Sequence, residues 1–310
     1  MPGFPFVRFF CATLCGALAL GPTKGRADFV LPTDWSRGSA DSTYQQWEVF
    51  GSATGAPANQ PDVGVYNPAA PAGAGLNVYD SSGTSFLTSG GNIYSYAAPT
   101  DIHVDVPNYA RGNDYFTTIV VQTRTEGSEI DYGAVKIGGA APTATDELVR
   151  QTQAGPFGDS YTVDYWFEWI LPGNVASYAI DIPASGASMS FDRVAVDTLT
   201  TLGGDVDRNG TVNGLDISAI ASAWLASGPI GSVSGDANFD GSVNGLDISL
   251  IASHWLYSSG GGQAAAVPEP SAGLLLAAGA SLFFASRGLR RLRGVKAAAS
   301  QHFSIYRRTP

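Results

Sequence analysis

The sequence predicts a mainly β chain. An antiparallel, jelly-roll-like β-sandwich occupies residues 28–201, a small two-loop, two-helix module follows at 202–257, and a hydrophobic helix lies near the C-terminus. Three observations carry this expectation. Residues 28–201 alternate runs of β-branched and aromatic residues with turn clusters, and hold no helix-length periodic segment. Only 14% of the 310 residues are charged while 38 are glycine, a balance that suits an extracellular all-β protein better than a helical cytosolic enzyme. A thirteen-residue pattern, "GDVDRNGTVNGLD" at 204–216, returns as "GDANFDGSVNGLD" at 235–247.

The first element is an address. Arg8 supplies a positive n-region and Phe9 to Leu20 an apolar core of signal-peptide length. Gly25 and Ala27 are the small residues at −3 and −1, which places cleavage after Ala27 and makes 1–27 a signal peptide. Cys15 is a poor lipoprotein site, because Thr13 and Leu14 precede it where small residues are expected. Cys11 and Cys15 are the two cysteines of the chain, so the mature protein has no disulfide, no thiolate metal site and no Cys nucleophile. His103, His254 and His302 lie far apart in sequence, which argues against a histidine zinc site.

The sandwich is read from "TTIVVQTRT" (117–125), "SYTVDYWFEWIL" (160–171), "SYAIDI" (177–182) and "MSFDRVAVDT" (189–198), all rich in strand-forming residues. "TSGGN" (88–92) and "LPGN" (171–174) read as turns. The Pro/Ala/Gly-rich stretch from Ala53 to Gly75 reads as one long loop. Two functional readings attach to this half. Glu129 and Asp131, at i and i+2, would share one face of a strand. Laminarinase-type glycosidases use a Glu-x-Asp-x-x-Glu strand, but the closing acid would fall at Gly133 or Ala134, and a retaining mechanism needs both carboxylates. The expectation is therefore no enzyme, with glycoside hydrolase as an alternative through Glu168. Tyr161, Tyr165, Trp166 and Trp169 crowd one segment; exposed, they would stack on sugars, and buried, they would fill a core. A polysaccharide ligand is thus an alternative to a structural or adhesive role.

The repeated pattern has the chemistry of a cation loop. With Asp205 as position 1, oxygen-bearing residues fall at 1, 3, 5, 7, 9 and 12: Asp205, Asp207, Asn209, Thr211, Asn213 and Asp216. The second copy supplies Asp236, Asn238, Asp240, Ser242, Asn244 and Asp247, and position 6 is glycine in both. This is EF-hand ligand spacing, suited to a hard cation that takes six to eight oxygens, and it predicts two Ca2+ ions. Val212 and Val243, at position 8, are expected to pair as a short strand contact between the loops. Ile217, Ile220, Ala221, Trp224 and Leu225, repeated as Ile248, Ile251, Ala252, Trp255 and Leu256, follow helical spacing. No helix precedes either loop, so each unit is a loop with an exiting helix.

Two such units, 31 residues apart, resemble a type I dockerin across 202–257. The resemblance implies calcium binding, helices packed antiparallel on each other, and a cohesin-like partner. Cellulosomal dockerins place a hydroxyl pair after position 9; here those positions hold Gly214-Leu215 and Gly245-Leu246. An intramolecular contact with the sandwich therefore stands beside cohesin as the expected partner.

Residues 258–266 read as a flexible linker. Beyond it, Val267-Pro268-Glu269-Pro270, an uncharged stretch at 271–286 and Arg287, Arg290, Arg291 and Arg293 follow in order. This resembles a PEP-CTERM sorting signal over 267–294, with a basic tail at 295–310. It implies transient membrane insertion through 271–286, recognition by an exosortase-type sorting protease, and delivery to the cell envelope, surface or extracellular matrix. Between the two basic ends, residues 28–266 hold 7 basic against 26 acidic side chains. That excludes nucleic-acid binding by counterion release and suits divalent cations.

Overall fold

The computed structural model describes residues 29–69, 72–155 and 158–259. The segments expected to be a signal peptide (1–27), a sorting signal with its hydrophobic helix (267–294) and a basic tail (295–310) lie outside the described residues. No helix among the described residues is long and apolar enough to cross a membrane.

Two antiparallel sheets enclose the main core. The larger runs β2 (Val63–Asn67), β1 (Ser42–Trp47), β12 (Met189–Leu202), β7 (Gly112–Gly127), β10 (Gly158–Asn174) and β9 (Ala144–Gly155), with the short β4 (Phe86–Leu87) and β5 (Ile93–Tyr94) attached through β12. The smaller runs β3 (Gly75–Asp80), β6 (Thr100–Pro107), β11 (Ser177–Pro183) and β8 (Lys136–Ile137). Strand alternation sorts the side chains. On β10, Phe167 and Trp169 are buried in the core with Tyr165 packed against it, so Asp164, Trp166 and Glu168 face outward. Ile119, Val121, Val194 and Val196 of the larger sheet meet Leu76, Ile102, Val104, Ile180 and Ile182 of the smaller.

Three sequence expectations need correction. The stretch from Ala53 to Gly75 is not one loop: Val63–Asn67 form β2 on the edge of the larger sheet, pairing with β1 from Ser42↔Asn67 to Gln46↔Val63. Its Pro- and Gly-rich flanks hid a five-residue strand whose pairing comes from a distant partner. "LPGN" is not a turn, because β10 continues to Asn174 with a register irregularity between Pro172 and Asn174. There Gly173 takes φ +82, a bulge that a side chain would resist. Glu129 and Asp131 lie on no strand: they follow the end of β7 and flank Ile130, which makes an isolated bridge to Ala184.

The outer face of the larger sheet is partly covered. The segment Val30–Trp35 crosses it and is held by Gln122, whose Nε2 donates to the Val30 carbonyl at 2.7 Å while its Oε1 accepts from the Val30 N–H at 2.9 Å. Arg37 then donates through Nε and Nη2 to Asp197, at 2.7 and 2.8 Å. Asp197 is 0% exposed.

The C-terminal module packs on the same sheet. β12 runs into the first loop, and Leu202 at its end joins Val212, Ile220, Ala237, Val243 and Ile251 in a second core, with Tyr115 of β7 against them. Arg208 pairs with Asp34 at 3.1 Å. Phe239 meets Phe116 edge to face, centroids 5.0 Å apart. His254 Nδ1 lies 2.8 Å from the Gly203 carbonyl.

Candidate metal centre

Each loop is organised by hydrogen bonds between its acidic side chains and its own backbone. Asp216, 0% exposed, accepts from the N–H groups of Val206 (2.7 Å) and Asp207 (3.2 Å) through Oδ1, and from Asn213 N–H (2.8 Å) through Oδ2. Asp247 does the same in the second loop, accepting from Ala237 (2.8 Å), Asn238 (3.2 Å) and Asn244 (2.7 Å). Asp205 Oδ2 accepts from Gly210 N–H at 2.9 Å, and Asp236 Oδ2 from Gly241 N–H at 2.8 Å. Gly210 and Gly241 sit at φ +84 and +85, a left-handed turn open to glycine. A Cβ on Gly241 would also lie 2.7 Å from the Gly228 carbonyl oxygen.

Carboxylate oxygens of Asp205, Asp207 and Asp216 converge within 4.8 Å of one another. Asp205 Oδ1 is buried with no hydrogen-bond partner. Burial pushes Asp205 up to about 6; repulsion from Asp216 and Asp207 adds to this, and the Gly210 N–H opposes it. Burial likewise raises Asp236, with repulsion from Asp247 and Asp240 behind it and the Gly241 and Asp240 N–H groups opposing. A buried, unpartnered carboxylate oxygen among like charges is costly unless a cation meets it. The donor set is all oxygen, which fits calcium.

The remaining predicted ligands have local roles as well. Asn209 Oδ1 accepts from Thr211 N–H at 2.9 Å, and Asp240 Oδ1 accepts from Ser242 N–H at 2.9 Å. Asn238 Oδ1 accepts from Asp240 N–H at 3.0 Å. Asn213 and Asn244 turn their side-chain oxygens to cap α1 (Gly214–Ser222) and α2 (Gly245–Ser253), each accepting at 2.8 Å from Leu215 or Leu246 N–H. With Asp216 and Asp247 at N3, each helix start is a capping box.

Val212 and Val243 do not pair with each other. Val212 exchanges backbone hydrogen bonds with the tail of the second unit, to Tyr257 O (3.0 Å) and from Leu256 N–H (2.9 Å). Val243 does the same with the tail of the first, to Ala226 O (2.9 Å) and from Leu225 N–H (3.0 Å). The two valines share the core, but their backbones close the other unit's exit. The predicted helical faces shrink for the same reason: the helices stop at Ser222 and Ser253 so that Leu225 and Leu256 (φ +65 and +64) can turn into these contacts. Ile220 and Ile251 are buried, whereas Leu215, Ile217, Trp224, Leu246, Ile248 and Trp255 remain exposed. The described end of the chain belongs to this arrangement too, since Ser259 N–H donates to Gly210 O at 2.9 Å.

Sequence spacing missed Arg208 and Phe239. Both occupy position 4 of their loop, both take positive φ (57 and 56), and both reach the sandwich. Their shared loop position was visible in the repeat; their partners were not.

Residues 203–256 match the model of the dockerin type I domain. No curated protein and no solved structure matches the chain. With the loop geometry, the match makes this segment a dockerin-like, calcium-binding module.

Proposed function

We propose that the protein is exported to the cell envelope or extracellular matrix, where a module stapled by two calcium ions presents a jelly-roll-like sandwich of structural or adhesive role. The observation that carries this is the convergence of the Asp205, Asp207 and Asp216 carboxylates, with Asp205 Oδ1 buried and unpartnered, in a loop pattern that recurs 31 residues on. In this reading the signal peptide and the PEP-CTERM-like segment with its exosortase-type protease supply export and sorting. The first-loop side chain Arg208 and the second-loop Phe239 face the sandwich. The repeated apolar residues Leu215, Ile217, Leu246 and Ile248 stay exposed and form the surface for a cohesin-like partner. Capture of the protein on an immobilised cohesin in calcium, lost in chelator and in Leu215→Asp/Leu246→Asp, is the expected result. No capture would leave only the intramolecular contact, and capture that persists in chelator would overturn the calcium dependence of this surface.

Of the acids considered for catalysis, Glu129 is not a free base. Glu129 is held by Arg150 Nη1 and Nη2 at 2.7 and 2.9 Å and by the Tyr132 hydroxyl. The Arg150 hydrogen bonds, aided by Tyr132 and against partial burial, keep its carboxyl below the ordinary range, which disfavours an acid/base role. Carbohydrate binding is the second reading, favoured by the position of Trp166. Trp169 is buried with its Nε1 donating to the Ala140 carbonyl at 3.0 Å, whereas Trp166 lines an open cavity on the outer face.

A further inference from the structure

We propose that the cavity between the Val30–Trp35 segment and the outer face of the larger sheet binds an amino-sugar unit of a polysaccharide, with Trp166 against the ring and Glu168 and Asp146 holding its ammonium. The inference deepens the carbohydrate reading and rests on it. The cavity encloses about 220 Å³, below the ~300–1,000 Å³ of drug-sized sites, so it suits one ring of a longer chain. Strand register sets its floor: Trp166 lies between Asp146 of β9 and Gln122 of β7, and Glu168 pairs with Val120. Gln122 also holds the wall through its two hydrogen bonds to Val30. Floor and wall are therefore fixed relative to each other.

The polar groups of this cavity are lopsided. Asp34, Asp146 and Glu168 bring three carboxylates. Asp34 is occupied by the Thr33 hydroxyl (2.9 Å) and Arg208 (3.1 Å). The carboxylates of Asp146 and Glu168 have no hydrogen-bond or ion-pair partner among the described residues. Trp35, on the wall, keeps its Nε1 buried and without an acceptor. Burial, with repulsion from Asp34 and against the pull of Arg208, raises the Glu168 carboxyl. An acceptor-rich, negative cavity selects a donor-rich cation, and indole favours a ligand with an apolar or cationic face. An amino sugar brings an ammonium, hydroxyl donors and a C–H face together; a neutral sugar leaves the charge unmet.

The rival is adsorption of a polycation on an acidic protein, and Trp166→Ala separates the two because it leaves the charge unchanged. Calorimetric titrations use a short glucosamine oligomer in mildly acidic buffer, its N-acetylated counterpart and a cello-oligomer. The glucosamine oligomer is expected to bind and the neutral oligomers not. Trp166→Ala and the isosteric Glu168→Gln should each weaken binding about tenfold, and Trp166→Phe should retain most of it. Equal binding of the neutral oligomers overturns the ammonium assignment while leaving the carbohydrate reading standing. Binding of none overturns both. Undiminished binding in Trp166→Ala assigns the signal to surface adsorption and overturns the site.

Discussion

Asp216→Ala is expected to abolish calcium binding in the first loop and to melt both helices, not one. The substitution removes the acceptor for three backbone N–H groups, those of Val206, Asp207 and Asn213. Each such group left buried and unpaired costs about 1–3 kcal/mol, and a site at 100 times its Kd adds about 2.7 kcal/mol that would also be lost. The damage spreads because the first loop closes the second unit's tail through Val212, and the second loop closes the first unit's tail through Val243. A core of this size has little reserve of its own. Far-ultraviolet circular dichroism in saturating calcium should lose the helical signal while the sandwich keeps its β spectrum. Retention of half the helical signal with one ion bound would show the units to be independent.

Arg37→Ala is expected to destabilise the sandwich by about 3 kcal/mol, read from the denaturation midpoint at neutral pH, because it strands a fully buried carboxylate. Asp197 is 0% exposed and accepts from both Arg37 Nε and Nη2. Burial already raises the Asp197 carboxyl, against the opposing pull of Arg37, and removal of the guanidinium raises it further. A folded-state carboxyl above its unfolded value binds more protons folded than unfolded, so stability rises as pH falls through it. The deficit of the variant should therefore be largest at neutral pH and narrow on acidification. Arg37→Ala/Asp197→Asn should recover part of the loss. A deficit independent of pH would assign the effect to packing of Arg37 over the Tyr44 ring, 3.7 Å away.

The elements legible in the sequence are those whose signal is local. β7, β10, β11 and β12 declare themselves by β-branched and aromatic runs, and the loops by alternate oxygen donors with glycine at position 6. What depends on a distant partner was hidden. β2 exists because β1 offers it an edge. The bulge at Gly173 bends a strand that looks, in sequence, like a turn. Val212 and Val243 pair with segments 44 or 45 and 17 or 18 residues away, which no periodicity predicts. The aromatic cluster at 161–169 was ambiguous because alternation sends neighbours to opposite faces: Trp169 into the core, Trp166 toward the covered outer face. The cavity itself depends on Gln122 holding a segment 92 residues earlier, a contact only the fold reveals.

The central claim is that two oxygen-lined loops close on two calcium ions and hold the module together. Calorimetric titration of calcium into the chelator-treated protein, followed in parallel by far-ultraviolet circular dichroism, tests it directly. The account predicts two ions bound per chain and a rise in helical signal that saturates with them. Absence of binding heat, or a helical signal already complete in chelator and unchanged by calcium, would contradict it.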